Sequence, residues 1–200
     1  MSISARARNA GFLARVTAAA ILAVAAVPAL PQSADLWDIA RTRPHIVIVM
    51  RHAETHPGNG SIFDPSGQCR GEQMLTPKGR EDATAAGRAF ASQGLGPARL
   101  TVVSSAMCRT RDTALLAFGK AQLDPALREV ASASGGQMNE ALDAADAIIR
   151  SRRGPHPLVV VTHLPNIDAM TGEQPPHHEA VVAQADERGQ LTVLGRVRLY

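Results

Sequence analysis

Three short runs of aliphatic and β-branched residues recur along the chain: Ile46-Val47-Ile48-Val49-Met50, Leu100-Thr101-Val102-Val103 and Leu158-Val159-Val160-Val161-Thr162. Runs of this length, bounded by turn residues and without polar alternation, read as strands covered on both faces, as in a parallel sheet. They predict strands at residues 45–50, 100–104 and 158–162. Between them the period becomes helical. Thr76-Pro77 supplies an N-cap and a proline at the first helical position, opening a helix that stops near Gln93, before Gly94-Leu95-Gly96-Pro97. A second helix opens at Ser105 or Met107 and ends at Phe118, before Gly119. A third spans 140–153, with Leu142, Ala145, Ile148 and Ile149 at helical spacing and Gly154-Pro155 as its stop. A short fourth, 166–170, ends at Gly172. Residues 180–185 and 191–199, around Asp186-Glu187-Arg188-Gly189, predict a terminal hairpin. Residues 56–73 hold Pro, Gly, Asn, Asp and Ser and read as a long loop, and loops of that length in compact domains tend to be functional. This order predicts an α/β fold: a three-layer sandwich with a mostly parallel central sheet flanked by helices. No internal repeat is visible.

The N-terminal stretch follows a different pattern. Arg6, Arg8 and Arg15 precede an apolar segment, Val16 to Leu30, with small residues at its exit. A basic region, an apolar region and a small-residue exit form a secretory signal, with cleavage expected after Ala29 or after Ala34. The apolar part, at about 15 residues, is short of the roughly 20 a membrane span requires. The expected organisation is a signal at 1–29, a partly ordered lead-in arm at 30–44 and one domain at 45–200. The product would be periplasmic or secreted, without stable membrane insertion after cleavage.

Composition changes the picture in two places. The formal charge of +3 rests on the three signal arginines, since removing them from 21 basic residues leaves 18 against 18 acidic ones. With no Lys/Arg run and 3% aromatic residues, nothing resembles a nucleic-acid face. Export also bears on Cys69 and Cys108: in an oxidising compartment two cysteines read as a disulfide rather than a metal pair or free thiols, unless the fold holds them too far apart.

The chemistry gathers at strand ends. The first run leads into Arg51-His52, the second within a few residues into Arg109, and the third into His163. Open α/β sheets bind ligands at the C-terminal ends of their strands, so these residues would share one crevice. Taken singly, each has an ordinary reading as a turn histidine or a solvated arginine. Together they suit a phosphate dianion, which arginine binds bidentately. Fixed cations also stabilise a phosphoryl group in transit, and they keep a nearby imidazole neutral and able to attack phosphorus.

Arg51-His52-Ala53-Glu54-Thr55 resembles the Arg-His-Gly-Glu signature of the histidine phosphatase superfamily, the phosphoglycerate mutase-like fold. Leu75-Thr76-Pro77-Lys78-Gly79 resembles its Leu-Thr-x-x-Gly helix start, and residues Ser104 to Ala114 resemble its Ser-Pro-Leu-x-Arg-x-x-x-Thr-Ala block. Thr162-His163-Leu164-Pro165-Asn166-Ile167 is similar to the block around its second histidine. Thr171-Gly172 and Glu179-Ala180-Val181-Val182 resemble a secreted bacterial branch. The resemblance covers about 45–199, in order. It implies that His52 is the phosphorylated nucleophile, that Arg51, Arg109 and His163 form the phosphate pocket, and that Glu54 orients it. It implies no cofactor or metal. The general acid would be Glu179, by the secreted branch, or Glu129, by the mutase-like branch, with Glu179 preferred. Three departures stand out: Ala53 in place of glycine, Gln73 in place of an arginine, and His177-His178 in place of a small residue and glycine before Glu179.

The activity so implied is metal-independent hydrolysis of small phosphomonoesters through a phosphohistidine, as in histidine acid phosphatases. An envelope sugar phosphate, such as a lipopolysaccharide core heptose phosphate, would be a substrate by analogy. An impaired phosphate-binding module of the same fold is the non-enzymatic alternative. A metal hydrolase would draw on His52, His56, His163, His177, His178 and Asp64, but the His-Glu-x-x-His pattern is missing. A cysteine phosphatase is disfavoured, since the sixth residue beyond Cys69 is Leu75 and beyond Cys108 is Ala114, neither an arginine.

Overall fold

The computed structural model describes residues 33–129, 135–152 and 154–200, so the segment read as an export signal lies outside the described residues. Six strands form one sheet: β1 (Ile46–Arg51), β2 (Thr101–Ser105), β3 (Gln122–Asp124), β4 (Leu158–Thr162), β5 (Glu179–Ala185) and β6 (Leu191–Arg198). Their order is β3-β2-β4-β1-β5-β6. The first four are mutually parallel, β5 runs antiparallel beside β1, and β6 runs antiparallel to β5. The three apolar runs are thus neighbouring strands, buried because helices cover both faces.

Alternation along the strands divides the core in two. Ile46, Ile48 and Met50 face one side with Val102, Val159 and Val161; Val47 and Val49 face the other with Val103, Leu158 and Val160. Helices α1 (Ser33–Thr42), α2 (Pro77–Ser92) and α3 (Cys108–Phe118) cover the first face, and α4 (Gly135–Ser151) and α5 (Leu164–Thr171) the second. This is the expected three-layer α/β architecture.

Three elements differ from expectation. The lead-in arm is a helix, α1, which buries Leu36, Trp37 and Ala40 and sets Trp37 edge-on to Phe90 at 5.2 Å. Its apolar stripe is only three residues wide and shows its purpose only when β6 and α2 are beside it. Strand β3 is three residues long with Leu123 exposed, too short for any alternation to register. Helix α4 begins at Gly135, five residues before the expected start, because its glycine-rich first turn gives no helical periodicity to read.

Register brings the site together. Arg51 pairs with Thr162, so the chain leaves β1 and β4 at adjacent points, His52 and His163. The His52 N–H donates to the Thr162 carbonyl at 3.0 Å. On the other side of β4, Ser104 pairs with Val161, which delivers Ser105 and the turn into α3 beside His163. The long loop is pinched at its base, where Thr55 bridges Leu75 and the His56 N–H donates to the Met74 carbonyl at 3.0 Å. Farther out a disulfide joins Cys69 to Cys108, the first residue of α3.

Candidate active site

His52 is 4% exposed, and its Nδ1 lies 2.8 Å from the Ala53 carbonyl. A carbonyl only accepts, so Nδ1 carries the proton and Nε2 keeps its lone pair. Burial, followed by the charges of Arg109, Arg51 and His177, pushes the ring's pKa down to about 3 against the single raising effect of the carbonyl bond. The imidazole is therefore neutral and nucleophilic at Nε2.

His163 is fully buried, its ring centroid 5.4 Å from that of His52. Arg109 Nη2 donates to its Nδ1 at 3.1 Å, which leaves the proton on Nε2, 3.0 Å from Ser105 Oγ. Burial and the neighbouring His52, Arg109 and Arg51 hold its pKa well below the ordinary histidine value.

Arg109 is 0% exposed. The two hydrogens of its Nη2 are shared among His163 Nδ1, the Gly60 carbonyl at 2.8 Å, Glu129 Oε2 at 2.7 Å and Met107 Sδ at 3.6 Å. Its Nε and Nη1, and Nε of Arg51, are buried with no hydrogen-bond partner among the described residues. Desolvation lowers the pKa of both guanidiniums, and the largest opposing effect on each comes from the charge of Glu129. Guanidinium donors are almost always satisfied when buried, so these three mark a place built for acceptors.

The surrounding motifs hold this cluster in position. Thr113 Oγ1 accepts from the Ala53 N–H at 3.0 Å and donates to the Arg109 carbonyl at 2.7 Å, coupling the nucleophile segment to α3. Thr76 caps α2 by accepting from the Gly79 N–H at 2.9 Å, and its hydroxyl donates to Glu54 Oε1 at 2.8 Å. A side chain at Gly79 would collide with the Glu54 carbonyl, which is why a glycine stands there. Glu72, 7% exposed, accepts from the N–H of Cys108 at 2.7 Å and of Asp64 at 2.8 Å, fastening the long loop to the first turn of α3.

Arg51, His52, Arg109, His163 and Glu129 are thus brought together. Glu179, the preferred acid, pairs with Arg196 at 3.6 Å, and Arg196 also holds Glu173. Gln73 holds the loop, donating to the carbonyls of Gly58 at 2.9 Å and His56 at 3.2 Å. Sequence reasoning carried Ser105 and Thr113 only as positions of the block around Arg109, without a role, and did not name Glu72. The position of Ser105 at a strand end was the available signal, and Glu72 had none beyond being a carboxylate in the long loop. Among the described residues no group of three or more His, Cys, Asp or Glu is arranged to hold a metal ion, and no helix is long and apolar enough to cross a membrane.

Fold and cluster together define a class: α/β proteins that present a histidine and arginine pocket at the C-terminal ends of parallel strands. The chain belongs to the histidine phosphatase superfamily (branch 1), whose family model matches residues 47–146. No curated protein matches it significantly. Among solved structures, the product of open reading frame Rv3214 from Mycobacterium tuberculosis is 20% identical, spanning 79% of this chain and 100% of that one, with a TM-score of 0.56. The mycobacterial glucosyl-3-phosphoglycerate phosphatase Rv2419c, complexed with inorganic phosphate, is 16% identical over 78% of this chain and 97% of that one, TM-score 0.53. The protein histidine phosphatase SixA, complexed with tungstate, is 17% identical over 76% and 96%, TM-score 0.51. At these identities the likeness is one of fold.

Proposed function

We propose that this protein is an exported, metal-independent phosphomonoesterase that works through a phosphohistidine on His52. The observation that carries the reading is the His52 tautomer: Nδ1–H is fixed on the Ala53 carbonyl, and burial among cations keeps Nε2 unprotonated. A phosphate dianion would take the buried, unpartnered donors of Arg109 and Arg51, which stabilise charge on its equatorial oxygens as Nε2 attacks in line. His163, held neutral between Arg109 and Ser105, completes the wall of the pocket. Attack transfers the phosphoryl group to Nε2, and water then hydrolyses the N–P bond. Glu129 is the carboxylate of the pocket and Glu179 a hairpin anchor, so Glu129 governs the setting of Arg109.

Export is supported by the N-terminal signal pattern and by the Cys69–Cys108 disulfide, a bond that persists in oxidising compartments. It favours an envelope sugar phosphate as substrate and membership of a secreted bacterial branch. The relatives with phosphate and tungstate in their structures fit a pocket for tetrahedral oxyanions.

The test is phosphate release from p-nitrophenyl phosphate by wild type and His52→Ala, after exhaustive chelation. The expected result is wild-type turnover indifferent to chelator and a loss of at least about 1,000-fold in the variant. Turnover by His52→Ala at the wild-type rate would refute the mechanism. Phosphate binding without turnover by the wild type would make it a binding module.

A further inference from the structure

The segment that brings Glu129 to the pocket has no regular element to hold it. Arg128 and Glu129 follow the single turn Pro125–Leu127 and belong to no helix or strand, so the carbonyls of Leu127 and Arg128 must find donors elsewhere. Both donors come from side chains at the exit of β4. Thr162 Oγ1 donates to the Leu127 carbonyl at 3.0 Å, and Asn166 Nδ2 donates to the same carbonyl at 3.3 Å and to that of Arg128 at 3.0 Å. Both residues are buried, and they bracket His163 in the chain. Thr162 also takes the His52 N–H on its carbonyl. One short stretch thus fixes the backbone of both histidines and of the segment that carries the carboxylate.

Asn166 stands there for its hydrogens. An amide nitrogen carries two, so one side chain can serve two successive carbonyls, as a single hydroxyl cannot. Its Oδ1 is buried with no partner among the described residues, an arrangement that opposes folding. The helix does not call for it either: Asn166 is the third residue of α5, where alanine or glutamate would suit a first turn better. What the grip controls is tightly seated. Glu129 Oε2 lies 2.7 Å from Arg109 Nη2, and a Cβ added at Gly60 would come within 2.5 Å of the same oxygen, so the carboxylate fills the space between the long loop and the guanidinium. The Glu129 N–H finds only a sulfur, Met107 Sδ at 3.4 Å. Among the described residues its backbone is therefore fixed through the two carbonyls before it.

We propose that Asn166, with Thr162, is a positioning residue that sets Glu129 in the pocket by gripping the Leu127 and Arg128 carbonyls, an inference that rests on the phosphatase reading of the site. It touches neither substrate nor reacting atoms. It acts through Glu129, and through Glu129 on Arg109, so its effect on turnover exists only while that carboxylate is present.

The experiment is a double-mutant cycle on p-nitrophenyl phosphate turnover, run well below the melting temperature of every variant so that unfolding is not read as lost activity. Asn166→Ala removes both donors together with the unpaired oxygen. Its kcat/KM is expected to fall by about 10- to 100-fold, the scale of a misplaced pocket group, and Glu129→Ala to lose at least as much. In the double variant the alanine at 166 should cost less than about 3-fold beyond Glu129→Ala, because a carboxylate that is absent cannot be misplaced. An unchanged kcat/KM in Asn166→Ala overturns the proposal. So does a loss that multiplies in full with that of Glu129→Ala, which would make Asn166 a donor to buried carbonyls and nothing more. If Asn166→Ala does not fold, Thr162→Val takes its place, keeping the side-chain shape and removing one donor. Its expected loss is about 5-fold, the scale of one hydrogen bond, and it too should vanish without Glu129; no loss, or one that multiplies, overturns the proposal. His52→Ala run alongside separates the two claims. Turnover there at the wild-type rate refutes the phosphohistidine, whereas its loss beside a multiplying cycle refutes only the grip.

Discussion

At the scale of single residues, the pocket is set by which nitrogen of each histidine holds the proton. His163 can receive a hydrogen bond from Arg109 at Nδ1 only because Ser105 accepts the Nε2 proton on the other side. Ser105 Oγ also accepts from the Met107 N–H at 3.2 Å, so it anchors the turn into α3 as well. Ser105→Ala is expected to leave two buried donors unsatisfied, at a cost of about 1–3 kcal/mol each. It would release the ring to its other tautomer, which presents a proton to Arg109. Urea unfolding should show the stability loss, and phosphate release should show a rise in KM. A variant with unchanged stability and KM would mean that another group fixes the tautomer. Ala53 needs no compensation for its missing glycine. It is absent from the residues with positive φ, and its N–H is taken by Thr113, so the backbone there is open to any small residue.

At the scale of elements, the loop between β1 and α2 is part of the pocket rather than a cover laid over it. It supplies the Gly60 carbonyl to Arg109 and is tied to α3 by Glu72 and by the disulfide one residue before Arg109. The bridge closes a loop with a sequence separation of 39, for which chain entropy gives roughly 4 kcal/mol of stabilisation. Cys69→Ala is therefore expected to lower unfolding free energy by about that amount and to reduce kcat/KM as Arg109 loses its fixed setting. Lower stability with full activity would show that Glu72 alone holds the loop. The cysteines announced this bond once the N-terminal pattern led to the expectation of an oxidising compartment, and the three central strands announced themselves through unbroken apolar runs. The capped start of α2 was equally plain, since Thr76, Pro77 and Gly79 each answer to a local steric or hydrogen-bonding need. What stayed hidden depends on partners distant in sequence. Helix α1 is defined by β6 and Phe90, the hold of Glu72 by an N–H 36 residues away, and the place of Glu129 by a buried guanidinium. The pairing of Arg196 with both Glu173 and Glu179 likewise joins residues that no local pattern connects.

At the scale of the whole molecule, the site draws on the stability of the fold. His52, His163 and His177 all have lowered pKa values, with burial the largest cause in each. In the unfolded chain these rings titrate near the ordinary value of about 6.5. Above that pH both states are neutral and the three groups contribute nothing to the pH dependence. Below it the unfolded chain takes up protons that the folded site refuses, so stability falls as pH falls, by up to about 1.4 kcal/mol per pH unit for each histidine. For His52 that window reaches down to its folded pKa of about 3. Unfolding free energy measured by urea between about pH 7 and about pH 4.5 should therefore decline, and His52→Gln should show a slope shallower by up to about 1.4 kcal/mol per pH unit. An identical slope in the variant would mean that His52 titrates normally in the folded protein, contrary to the neutral nucleophile on which the mechanism depends. The same arrangement predicts where catalysis ends. Because Nε2 stays unprotonated far below neutrality, the acid limit of kcat/KM should coincide with loss of the folded state, seen by far-UV circular dichroism at the same pH, rather than with protonation of the nucleophile.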